Sequence, residues 1–307
     1  MLKSPMISRR GLLKTAATAP LLAAAGPLAA GAPMLGASSA VHRRETLGAF
    51  EVTTILAGTA LRENPKALFG TNVDDATFEA ASQAANIPTD VNRFFYTPTV
   101  VNTGSELVLL DTGLSGAGTV AALAQAGYTP EQIDVVVITH MHGDHIGGLL
   151  TDGAPTFPNA RYVTTAIEFD FWANADNERF EGNVRPIADQ FAMIRSGDSV
   201  ASGITAMAAH GHTPGHTAYM VESEGKMLAI CADFAAHPIW SIANPDWEFR
   251  FDADKAEAAA TRRRLLDMMA TDGIPFVGYH MPFPAIGFIE TAGSGFRYVP
   301  HSYQLTL

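Results

Sequence analysis

The chain has 307 residues, 47% hydrophobic and 17% charged, with a formal net charge of −11. That is enough for one large α/β domain with its own core, and two domains are not required. The acidity disfavours nucleic acid and anionic membranes as partners, and the single cysteine, Cys231, excludes an intrachain disulfide framework.

In chain order, Ser8-Arg9-Arg10-Gly11-Leu12-Leu13-Lys14 reads as a twin-arginine export signal. An Ala-rich stretch, Thr15–Ala30, follows, with small residues for cleavage at Ala30-Gly31-Ala32. Pro20, Gly26 and Pro27 make that stretch a poor membrane span. Residues 1–32 are set apart as a signal peptide, with a periplasmic or secreted destination, and 33–307 as the functional domain. Residues 1–32 hold Lys3, Arg9, Arg10 and Lys14 and no acid, so the remainder carries 16 basic against 31 acidic residues.

Phe50–Leu56 alternates as a first strand, and Asp74–Ala85 forms a short helix inside the irregular stretch Thr59–Asp90. Arg93–Thr103 and Glu106–Asp111 read as two strands joined at Gly104-Ser105. Gly118–Gly127 is a helix closed by its glycine. Arg161–Thr164 is a short strand. The helix Thr165–Trp172 has Thr165 as N-cap and Glu168 three residues later, as in a capping box. Ala173–Gly182 is irregular and Asn183–Arg195 is expected to be helical. Ile204–Ala209, Thr217–Glu222 and Lys226–Ile230 are strands, the last two a hairpin turned by Ser223-Glu224-Gly225. Asp252–Ala270 is the longest helix, capped by Asp252 or Asp254, and Phe276–Gly278 is a strand that delivers His280.

The run Ile133–Ile138 is apolar on both faces and rich in β-branched residues, as a buried strand should be. Directly after it, Thr139-His140-Met141-His142-Gly143-Asp144-His145 holds four potential metal ligands within six residues. Three imidazoles and a carboxylate so close compete for protons, and a divalent cation turns that liability into binding energy. The ligands sit at the C-terminal end of a strand, where open α/β sheets place their chemistry.

His140-x-His142-x-Asp144-His145 resembles the signature of the metallo-β-lactamase superfamily, and Gly211-His212-Thr213-Pro214-Gly215-His216, Asp233 and His280 follow in the superfamily's order. Val101–Ser105 with Asp111-Thr112-Gly113, Pro282–Gly287 and Gly295–Pro300 resemble its methyl parathion hydrolase and lactonase group. The resemblance implies a four-layer αββα sandwich and two divalent ions, Zn2+ before other metals. It implies His140, His142 and His216 on one ion, Asp144, His145 and His280 on the other, and Asp233 bridging. Asp144 and Asp233 thereby become the catalytic carboxylates. Asp111 and His212 are expected to support ligands rather than bind metal.

Such a site activates a bridging hydroxide for attack on a carbonyl carbon or a phosphorus. Trp172, Phe180, Phe251 and His237 are expected to line the substrate pocket. With no basic cluster to hold a phosphate dianion, the expected partner is a small, apolar, uncharged lactone or ester; a homodimer is compatible with the sequence. Lactonases of the superfamily carry a tyrosine three residues after the bridging aspartate, where this chain has Ala236. The loop Leu114–Gly118 lacks the aromatic expected of organophosphate hydrolases. Lactone or aryl ester hydrolysis is therefore expected, with phosphotriester cleavage as a side activity. The alternatives are a dedicated organophosphate hydrolase, a β-lactamase and a non-catalytic metal-binding protein.

Overall fold

The computed structural model describes residues 40–302; the twin-arginine stretch lies outside them. β1 (His42–Leu47) and β2 (Phe50–Ile55) form a hairpin, and β3 (Gly58–Glu63) pairs with β4 (Val91–Tyr96) as a separate ribbon, with α1 (Asp75–Ala84) between them in sequence. β5 (Thr99–Asn102), β6 (Leu107–Leu110), β7 (Val135–Val137), β10 (Arg161–Thr165) and β11 (Phe191–Ile194) complete a seven-stranded sheet ordered β1-β2-β5-β6-β7-β10-β11, while β8 (Leu150–Thr151) and β9 (Ala154–Pro155) form a small ribbon. The second sheet also has seven strands, in sequence order: β12 (Ser199–Ala201), β13 (Ile204–Ala208), β14 (Thr217–Ser223), β15 (Lys226–Ala232), β16 (Phe276–Gly278), β17 (Ile286–Ala292) and β18 (Gly295–Pro300). The helices are α2 (Gly116–Ala126), α3 (Gly143–Ile146), α4 (Ala166–Ala173), α5 (Glu178–Asn183) and α6 (Lys255–Asp272). Among the described residues no helix is long and apolar enough to cross a membrane.

Strand alternation sorts the apolar residues into separate cores. Val108, Leu110, Val135 and Val137 pack with residues of the second sheet such as Val221 and Leu228. Leu109 and Val136 point the other way, onto Ala122 and Leu123 of α2. Leu265, Leu266 and Met269 of α6 join the core that the second sheet builds. Helices and sheets are thus layered as the αββα expectation required.

The departures from the sequence reading have physical causes. Arg93–Thr103 is two strands in two different sheets, parted at Thr97-Pro98, where the Pro98 carbonyl accepts from Ile55 N. Asn183–Arg195 is not a helix. Residues Arg185–Gln190 form a 3-10 turn, and Phe191–Ile194 pairs in parallel with β10, Tyr162 opposite Phe191, so sheet pairing overrides local propensity. The stretch read as irregular contains α5, whose N-cap Asn177 accepts from Arg179 N and Phe180 N.

β6, β7, β10 and β11 run parallel, as do β15 and β16. Asp111, His140, Asp233 and His280 all follow the C-terminal ends of such strands. Two residues there adopt left-handed backbone without being glycine, Asp111 (φ 63) and Ala232 (φ 44), each turning a strand end so that a carboxylate enters the site.

Close backbone packing holds the metal loop against this frame. A Cβ on Gly148 would lie 1.9 Å from the Thr112 carbonyl oxygen, whereas one on Gly182 of α5 meets nothing within 4 Å. Gly148→Ala should destabilise the fold by about 1–3 kcal/mol, read as a fall in melting temperature. Gly182→Ala should be neutral or stabilising by up to about 1 kcal/mol. Equal melting temperatures for the two variants would contradict this packing.

Candidate metal centre

His140 leaves β7, His142 stands at the N-cap position of α3, and that single turn carries Asp144 and His145 inward. His212 comes from the loop after β13, Asp233 from the end of β15 and His280 from the loop after β16. Three groups of potential ligand atoms result: His140, His142 and His212; His140, His145 and Asp233; Asp144, His145 and His280. His140 Nε2 lies 3.1 Å from His142 Nδ1, which lies 3.0 Å from His212 Nε2. Asp233 stands between the groups. Its Oδ1 is 3.3 Å from His145 Nε2, and its Oδ2 is 3.0 Å from His280 Nε2 and 3.5 Å from His212 Nε2.

The donor set fits divalent ions. His145 Nε2 and Asp233 Oδ1 are buried with no hydrogen-bond partner, a cost that a cation between them would relieve. Three imidazole nitrogens facing one another at 3.0–3.1 Å cannot all carry protons. That spacing is close to the ~3.3 Å between neighbouring donors on a tetrahedral ion with ~2.0 Å bonds. Burial, helped by the neighbouring imidazoles, holds His140 well below the usual histidine range and brings His142 down to about 3, leaving lone pairs free.

Outer partners aim each ring. His145 Nδ1 meets Asp111 Oδ2 at 2.8 Å, and the same carboxylate accepts from Thr139 N at 2.9 Å. His280 Nδ1 donates to the Phe95 carbonyl at 2.8 Å. His212 Nδ1 meets Asp252 Oδ1 at 2.8 Å, and Arg262 Nη2 donates to Asp252 Oδ2 at 2.9 Å. Asp252 is therefore no helix cap; Asp254 takes that role, accepting from Glu257 N. Glu168 was legible only as part of a capping box. Its buried carboxylate instead accepts from Met141 N (2.8 Å), Trp172 Nε1 (2.6 Å), Thr213 Oγ1 (2.7 Å) and Gly215 N (2.9 Å). Burial pushes its pKa up and these donors pull it back.

The roles expected of His212 and His216 are exchanged. His216 Nδ1 donates to the Ala209 carbonyl at 2.9 Å and its Nε2 accepts from Asp233 N at 3.1 Å, so both ring nitrogens are spent on backbone. His212 is the imidazole that joins His140 and His142. Asp111 stands where a supporting group was expected.

A cavity of about 350 Å³ opens beside the cluster, where His142, Asp144, His212, Asp233 and His280 form its floor. Of the residues expected in its wall, only Phe251 is there, 49% exposed. Trp172 is buried behind His142, its ring 5.5 Å away, because its indole N–H is committed to Glu168. Phe180 is sealed in the core against Phe169. His237 stacks on Trp240 at 3.9 Å and accepts from Ile239 N and Trp240 N. The wall comes from Phe94, Tyr96, Phe249, Leu68 and Leu114, and Arg62 and Arg179 reach it from separate elements, against the expectation of no basic cluster. Ala236 lies buried in an aromatic cluster, while Tyr96 faces the cavity with its pKa pushed up to about 12 by burial and by Asp144.

His212→Ala should cost close to one equivalent of bound metal in elemental analysis. His216→Ala should keep the metal and lose about 1–3 kcal/mol of stability through the stranded Ala209 carbonyl and Asp233 amide. The reverse pattern would restore His216 as a ligand.

A model described as the metallo-beta-lactamase superfamily matches residues 91–272. The chain is 30% identical over 157 residues to an N-acyl homoserine lactonase of a Bacillus species, covering 51% of this chain and 60% of the relative. It is 26% identical over 183 residues to the uncharacterized protein YobT of Bacillus subtilis strain 168, covering 55% and 76%. Among solved structures, it is similar to AidC, a dizinc quorum-quenching lactonase in complex with a product, at a TM-score of 0.80 and 25% identity over 85% of this chain and 98% of that one. Hydrolase AbOPH shares the fold at a TM-score of 0.80 and 24% identity, over 87% and 99%. With more than half of its length matched by that model, and with the fold matched as well, the chain belongs to the metallo-beta-lactamase superfamily.

Proposed function

We propose that this chain is a two-metal hydrolase that opens lactones and cleaves related esters, within the lactonase and methyl parathion hydrolase branch of the superfamily. The carrying observation is the set of three ligand groups, linked through His140 and His145 with Asp233 between them, at the floor of an apolar-walled cavity. The likeness to N-acyl homoserine lactonases supports the choice of a lactone. His140, His142 and His212 would hold one ion, Asp144, His145 and His280 the other, with Asp233 shared. Bound dications, zinc first, would supply a nucleophile from water at neutral pH and polarise the scissile carbonyl.

The chain's own groups do the rest. Asp144 is the carboxylate open to the cavity, its side chain 23% exposed against 3% for Asp233. Its carboxylate would take the proton released by water and return it to the leaving alkoxide. Asp233 fixes the spacing of the two ligand groups. The Tyr96 phenol stays protonated at neutral pH and acts as a donor toward the carbonyl oxygen. Phe94, Phe249 and Phe251 exclude water from the reacting ester.

A panel of a γ-lactone, dihydrocoumarin, p-nitrophenyl acetate, methyl parathion and nitrocefin, each with and without chelator, tests the reading. The best lactone should exceed methyl parathion in kcat/KM by at least about tenfold, or ~1.4 kcal/mol, and chelation should abolish both activities. Faster methyl parathion turnover would hand the assignment to a dedicated organophosphate hydrolase. We further propose export through Arg9 and Arg10: replacing both with Lys should hold the precursor in the cytoplasm, and an unchanged periplasmic yield would refute it.

A further inference from the structure

The β3–β4 ribbon supplies one wall of the cavity, and its register fixes the order of side chains along that wall. Gly58 lies opposite Tyr96, Ala60 opposite Phe94 and Arg62 opposite Asn92. Tyr96, Phe94 and Arg62 therefore project from one face of the ribbon, and all three line the cavity. The inner end is next to the ligands, with the rings of Phe94 and Tyr96 5.0 and 5.7 Å from that of His280. The outer end is Arg62, which is exposed. Four residues of strand separate Asn92 from Tyr96, about 14 Å at ~3.4 Å per residue. The wall is thus polar at its inner end, aromatic in the middle and cationic at its rim.

A second guanidinium stands at the same cavity. Arg179 of α5 lies over the metal loop, its Cγ 3.1 Å and its Nε 3.6 Å from where a Cβ on Gly143 would be. Its guanidinium has no hydrogen bond or ion pair among the described residues. Arg62 has only a 3.3 Å bond to the neighbouring Leu61 carbonyl. Arg43, Arg161, Arg185, Arg263 and Arg297 each pair with a carboxylate, whereas these two, which share one cavity, do not. Two cations without an acid partner among the described residues bring positive charge to the lining of one cavity.

We propose that Arg62 and Arg179 form a subsite for a carboxylate carried at the far end of the substrate's acyl chain. The substrate class is then a lactone or ester of medium length whose reacting carbonyl sits over the ligand cluster, whose methylenes lie along Phe94 and Phe249, and whose distal anion meets the guanidiniums. Planar guanidinium forks are suited to carboxylates. The inference refines the proposed hydrolase reading and rests on it for the inner half of the site.

Calorimetric binding to the metal-loaded protein tests the subsite without turnover. Suberate and octanoate share one carboxylate and the same chain, and only suberate carries a second carboxylate. Suberate should bind at least about tenfold more tightly, and the preference should shrink as salt is raised. Replacing both arginines with Met, which keeps the apolar stems, should bring the two affinities together. Equal affinities in the unaltered protein, or a preference that survives the double replacement, would overturn the subsite. Because no ester is hydrolysed in this measurement, failure of the substrate panel would count against the hydrolase reading and leave the subsite result standing separately.

Discussion

The ligand-bearing loops depend on a buried carboxylate that belongs to none of the candidate ligand groups. Glu168 has no exposure to solvent, and a carboxylate so placed must be surrounded by donors. The donors come from the His140–His145 loop, from the Thr213–Gly215 loop and from Trp172 one helical turn away. Satisfying one charge therefore fixes two ligand-bearing loops relative to each other. Gly215 is part of the same constraint, since a Cβ there would lie 2.2 Å from Glu168 N. The imidazoles converge because the backbone beneath them has no freedom to separate.

A second buried network fixes the remaining half. Arg262, 1% exposed, donates to the Phe234 and Pro245 carbonyls and to Asp252, and Asp252 aims His212. An arginine in the middle of the longest described helix is thus connected through a single carboxylate to the imidazole of a candidate ligand. Such a chain of paired charges is costly to break at any member, and it ties the orientation of His212 to a buried network.

Much of this was legible in the sequence, and the misses share one cause. Spacing alone located the His140–His145 loop, because four donors in six residues have few other uses. Spacing could not decide between His212 and His216, since the two stand four residues apart on one loop and differ in what their rings meet, Asp252 and His142 for the first and backbone groups for the second. The same limit applies to Glu168, whose position suggested a local cap while its partners lie in two other loops. Trp172 and Phe180 looked like loop aromatics free to reach a pocket; the bond to Glu168 and the contact with Phe169 draw them inward. The helix expected over Asn183–Arg195 yielded to an edge strand because β10 offered a pairing partner, which no local pattern records. Tyr96, Arg62 and Phe94 share a wall only through the register of a ribbon whose strands are separated by α1.

The seven potential ligands are divided between the two sheets. His140, His142, Asp144 and His145 precede the exposed turn at residues 195–198, and His212, Asp233 and His280 follow it. Neither portion can assemble either the His140–His142–His212 group or the Asp144–His145–His280 group alone. A chain severed at that turn would yield two pieces, each with an incomplete set of donors, and an added dication would favour their reunion through mass action. The centre is in that sense a clasp, and the free ion concentration would govern whether a nicked molecule stays whole.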